Sequence, residues 1–115
     1  MAEDQLSRVF AALADPTRRE ILAQLSQGPS SVGEIGAPLS ISAPAVSQHL
    51  KVLERAGLVS RTVQAQWRRL TLQSAPLDEA TAWIQQQRRA WNLRLDALDE
   101  HLEQMKNNQR HQENE

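Results

Sequence analysis

Residues 42–59, SAPAVSQHLKVLERAGLV, carry the pattern on which the fold turns. Ser42 followed by Pro44 is a helix start: the hydroxyl can accept a hydrogen bond from a free amide of the first turn, where proline is also tolerated. Val46, Leu50 and Leu53 then recur at i, i+4 and i+7, forming one stripe of a helix that stops at Gly57. At about 100° per residue, that stripe leaves Pro44, Ala45, Gln48, Lys51, Val52 and Arg55 on the opposite face, with Ser47 and His49 on the flanks. Glutamine and serine near the helix start can hydrogen-bond base edges in a major groove. Small Ala45 permits close approach or contact with a thymine methyl, and Lys51 and Arg55 can neutralise phosphates. Any solvated helix carries such residues, so the role depends on what flanks it.

Upstream, Ser30 and Ser31 can cap a short helix carrying Val32, Ile35 and Leu39, which Gly36 and Pro38 keep short. Two helices joined by a few residues suggest a helix-turn-helix. Further back, Leu6, Val9, Phe10 and Leu13 recur at spacings of three and four and predict a helix over 5–14. Asp15-Pro16 ends it and starts another over 16–27, which has an Ile21, Leu22 and Leu25 stripe and stops at Gly28-Pro29. Arg18 and Arg19, early in that helix, are open to two roles: phosphate contact or pairing within the chain.

Downstream of Gly57 the period changes. Residues 58–63 and 67–72 read as the arms of a β-hairpin bearing arginines, around 64–66. That turn lacks the glycine or asparagine of tight hairpins, which predicts a looser loop or a strained Ala65. From Pro76 no breaker occurs for about thirty residues. Ile84, Trp91, Leu95, Leu98, Leu102 and Met105 form a coiled-coil-like seam there, interrupted by Arg88. Residues 107–115 are wholly polar and are expected to be frayed or disordered, leaving one domain over 1–106. The fold class is mainly α with a small β-hairpin.

At 115 residues, with 40% hydrophobic and 23% charged side chains, the chain suits a single core. With no long apolar run and an acidic start, a cytoplasmic protein with no membrane partner is expected. The absence of cysteine removes disulfides, thiol nucleophiles and thiolate metal sites together. Scattered serines and carboxylates, with no histidine at a recognisable spacing, exclude an enzyme. The overall charge of -1 conceals a polarised distribution. Residues 42–72 hold five basic and one acidic side chain (+4), against -2 over 1–41 and -3 over 73–115. A basic middle between acidic ends is the electrostatic footprint a phosphate backbone would meet.

The segments VFAALADPTRREIL (9–22), SAPAVSQHLKVLERAGLV (42–59) and QWRRLTL (66–72), in this order, resemble the ArsR/SmtB family of winged helix-turn-helix transcriptional repressors. That resemblance implies a homodimer binding an imperfect palindrome in double-stranded DNA, with helix 42–56 in the major groove and wing 58–72 on the backbone or minor groove. By position it implies DNA contacts from Ser42, Ala45, Ser47, Gln48 and His49, with Arg68 and Arg69 reaching from the wing. Lys51 and Arg55 join them from the exposed face of the helix. The first and last helices would pair with their counterparts in the dimer. The residues themselves offer such surfaces in Leu6, Phe10 and Leu13 at one end and Trp91, Leu95, Leu98 and Leu102 at the other. An internal role for the long helix stays open. The family often has a polar residue at Ala43 and a glycine at Ala65.

The resemblance also raises metal sensing. Ser31-Val32-Gly33 stands where thiol-sensing relatives carry Cys-x-Cys. The other familiar site needs Asp-x-His and a second histidine eleven residues on; here Asp99 and His101 are followed by His111 after ten, turned by about 100° from the required face. The chain is therefore placed in a branch without the familiar metal sites, and no metal or cofactor is expected. Two other readings remain: a sensor with a small-molecule pocket near Trp83 and Trp91, and a dimeric protein-interaction module. A small-molecule or protein effector is left open.

Overall fold

A computed structural model describes residues 4–64 and 66–113. The order is α1 (Gln5–Leu13), α2 (Pro16–Leu25), α3 (Val32–Gly36), α4 (Ala43–Arg55), β1 (Val59–Gln64), β2 (Trp67–Leu72) and α5 (Ala75–Glu113). The first four helices begin at side-chain caps. The Asp4 carboxylate accepts from the Ser7 amide at 2.6 Å, Asp15 from Arg18 at 3.0 Å, Ser31 from Glu34 at 3.2 Å and Ser42 from Ala45 at 3.3 Å. Each cap satisfies one of the amides a helix start leaves free.

The end of α4 is as specific as its beginning. Gly57 has φ +75°, its amide donates to the Glu54 carbonyl at 3.0 Å and the Leu58 amide to Leu53 at 3.0 Å. This is a Schellman ending, with Leu53 and Leu58 both buried beside it. A Cβ at Gly57 would stand 3.2 Å from Gln5 Nε2 and 3.5 Å from Pro76 Cγ. The Gln5 side chain donates to the Ala56 carbonyl, so α1 covers the terminus of α4.

By contacts the chain divides into two compact units, Met1–Ala80 and Thr81–Glu115. In the first, Val9, Ala12, Ile21, Leu22, Leu25, Ile35, Val46, Leu50, Leu53, Ala56, Leu58, Val59, Leu70 and Ala80 form the core. The hairpin is antiparallel, with Val59 opposite Leu72 and Gln64 opposite Trp67. The expectation of a looser loop or a strained Ala65 lies outside the described residues. Ser30 and Leu70 exchange backbone hydrogen bonds of 3.1 and 2.8 Å, which fixes the hairpin's root to the approach of α3.

In the second unit α5 runs on unbroken. No side chain among described residues 81–113 falls in the buried class. The helix continues through 107–113, a stretch the polar composition marks as frayed. Asn107 to Glu113 contains no glycine or proline, and its glutamine, arginine and glutamate are good helix formers.

Candidate nucleic-acid interface

The α4 stripe is buried as its spacing predicts, and Ser42, Ser47, Gln48, Lys51 and Arg55 are exposed. Two residues assigned to the reading face sit differently: Ala45 is half-buried, and Val52 packs against the core. The stripe is therefore wider than three leucine and valine positions suggest, and the open face correspondingly narrower.

His49 is also half-buried, and its ring is turned toward the α1–α2 elbow. Nδ1 lies 3.4 Å from Arg18 Nη1 and 3.8 Å from the Asp15 carboxylate. Arg18 additionally donates to the carbonyls of Ala12 at 2.8 Å and Ala11 at 2.9 Å, and Arg19 to that of Leu13 at 2.7 Å. Both arginines are thus committed to the free carbonyls that end α1, where the helix dipole favours positive charge. Asp15 is held below the usual carboxylate range, first by the Arg18 amide and then by the charges of His49 and Arg18. One guanidinium joins α1, α2 and α4. Nothing in the local spacing distinguishes this arginine from a phosphate ligand, because its partners are brought together only by the fold.

The hairpin holds Arg61, Arg68 and Arg69 and no acidic residue over 59–72. Arg61 is neutralised at the root, donating from Nε and Nη2 to Glu54 Oε1 at 3.1 and 3.0 Å. Arg68 and Arg69 are exposed and make no ion pair among the described residues. Arg68 lies opposite Val63 and Arg69 opposite Thr62, so the neighbouring arginines point from opposite faces of the ribbon.

The expected pairing surfaces divide as well. Leu6, Phe10 and Leu13 are half-buried against the protein's own core, which uses part of the surface assigned to a partner. Trp91, Leu95, Leu98 and Leu102 are all exposed on α5. The cleft on that part of α5, about 250 Å³, is lined by Gln85, Arg88, Arg89 and Asn92, and by neither Trp83 nor Trp91. Among the described residues no cluster of three or more histidine, aspartate or glutamate side chains could hold a metal ion. No helix of the described residues is long and apolar enough to cross a membrane.

Residues 15–61, from the cap of α2 to the start of the hairpin, match the family described as Bacterial regulatory protein, arsR family. The transcriptional repressor SdpR of Bacillus subtilis is 34% identical over 79 residues, covering 69% of this chain and 88% of its own. The chain belongs to the ArsR family. A second similarity, 58% over 52 residues, is to the HTH-type transcriptional regulator Rv2034 of Mycobacterium tuberculosis; it spans 45% of this chain and 49% of that protein. An ArsR-like transcriptional regulator from Rhodococcus sp. RHA1 has a similar fold, with a TM-score of 0.74 and 32% identity over 82% of this chain and 89% of that one. The fold is the winged helix-turn-helix of these regulators, with β1 and β2 as the wing. These relatives regulate transcription and are not enzymes.

Proposed function

We propose that this chain is a homodimeric repressor that binds an imperfect palindrome in double-stranded DNA and blocks polymerase access to an overlapping promoter. The observation that carries the reading is the presence together of an exposed Ser47, Gln48, Lys51 and Arg55 face on α4 and a wing with exposed Arg68 and Arg69. Gln48, Ser47 and Ser42 read base edges, with Ala45 giving close approach. Lys51, Arg55, Arg68 and Arg69 anchor phosphates. His49 is reassigned: its contacts with Asp15 and Arg18 support a role in setting the angle of α4.

The second copy pairs through α5. Its Trp91, Leu95, Leu98 and Leu102 are exposed along one seam, the apolar surface a second copy would cover. With the familiar ligand positions changed, binding is metal-independent.

The test is selection of genomic duplex fragments by purified, metal-free protein, followed by titration of the recovered fragment against salt and chelator. Recovery of a short inverted repeat, bound by a dimer and indifferent to chelator, is expected. Failure to enrich any fragment by a folded dimer would overturn the reading.

A further inference from the structure

The wing ends in two large apolar side chains that its own core does not use: Trp67 is 66% exposed and Val63 65%. Alternation along the strands puts Trp67 and Arg69 on one face of the ribbon and Val63, opposite Arg68, on the other. Each face therefore presents an apolar group with an arginine. On the Trp67 face the indole lies nearer the tip, and Arg69 follows two residues, about 7 Å, behind it.

A minor groove has the matching order on both walls, with deoxyribose deeper and phosphate at the rim. The reach is also sufficient: six-residue strands span about 20 Å, more than the roughly 12 Å width of a major groove. A wing rooted beside α4, by the Arg61–Glu54 ion pair, can therefore cross the phosphate ridge next to the groove that α4 occupies. We propose that Trp67 is a DNA contact, its indole inserted into the minor groove against the sugar wall while Arg69 holds the phosphate behind it. This inference rests on the DNA-binding reading above and adds a contact that neither α4 nor the wing arginines supply. Apolar wedges in minor grooves are an established mode of contact, and they favour A·T pairs, which lack the guanine amino group on the groove floor.

The probe is a fluorescein-labelled duplex of about 30 base pairs carrying the fragment the protein selects. A Trp83→Phe, Trp91→Phe variant leaves Trp67 as the sole tryptophan. Binding is followed by anisotropy, and Trp67 by its emission and by acrylamide quenching. Saturating duplex is expected to change the emission and cut quenching several-fold. Trp67→Ala is expected to weaken binding roughly tenfold with little change in salt slope, and Trp67→Phe to recover most of the loss. Replacing A·T by G·C beneath the wing should cost the parent more than the alanine variant, and inosine·C should restore it. Tight binding with unchanged Trp67 emission and full affinity in Trp67→Ala would overturn the wedge and leave the repressor reading standing. It would assign the exposed indole to a protein surface instead. No binding of any duplex by the folded parent would overturn both. Because the residue is exposed, melting temperatures of the Trp67 variants should match the parent.

Discussion

Gly57 sits where the fold demands both a left-handed backbone and a missing side chain. Its φ of +75° is strained for any side chain, and a methyl there meets Gln5 and Pro76. Gly57→Ala is expected to destabilise the protein by about 1–2 kcal/mol in thermal or urea unfolding. Ser42→Ala, which removes the α4 cap, should cost about 1 kcal/mol. Asp4 and Asp15 are both held below the usual carboxylate value of 3.8, Asp4 by the Ser7 amide above all and Asp15 by the Arg18 amide. A depressed folded value contributes stability above the unfolded value, and that contribution is lost as pH falls through the folded one. The melting temperature should therefore drop below about pH 4. Asp15→Asn, which keeps an acceptor at the cap but removes its charge, should flatten part of that drop. Gln48→Ala should chiefly relax sequence preference, whereas Arg69→Ala should weaken binding to all duplexes and reduce the salt slope by about two, one for each copy of the proposed dimer. Equal effects of both on specificity would contradict the division between base readout and phosphate anchoring.

At the level of elements, the proposed reading gives α4 and α5 separable tasks. Leu98→Glu places a carboxylate in the α5 seam, and sedimentation should show the variant as a monomer with indirectly weakened DNA binding. A tight monomeric complex would remove the dimer from the mechanism. Element by element, the sequence was most legible where the chemistry is local. The caps at Asp15, Ser31 and Ser42, the α4 stripe and the Gly57 stop all follow from short spacings. Contacts between distant segments were not legible. The Ser30–Leu70 exchange involves only backbone atoms, and the inward turn of His49 depends on where Asp15 and Arg18 meet it. The split of Arg68 from Arg69 follows from strand alternation, whereas the placing of Val63 opposite Arg68 depends on the register. The reach of α5 to Glu113 is not legible in polarity alone, because the glutamines, arginine and glutamate of 107–113 suit a solvated helix as well as a solvated coil.

Taken as a whole molecule, the charge distribution suits a protein that approaches DNA with one surface. Residues 42–72 carry +4 while both flanking segments are acidic, so the net -1 understates attraction at the reading face and limits attraction elsewhere. Affinity for any duplex should fall steeply with salt, and a plot of log affinity against log salt should have a slope set by the phosphates that Lys51, Arg55, Arg68 and Arg69 neutralise in each copy. The wing adds a mechanical property. Its root is clamped by the Ser30–Leu70 exchange and by the Gln73 amide on the Leu58 carbonyl at 2.8 Å, with Leu70 fully buried, while Val63 and Trp67 project beyond any such support. The hairpin is in effect a cantilever. A slight bend along the strands becomes a larger displacement at the tip while the root stays fixed, so on the proposed reading one rigid core would fit its wing to grooves of different width.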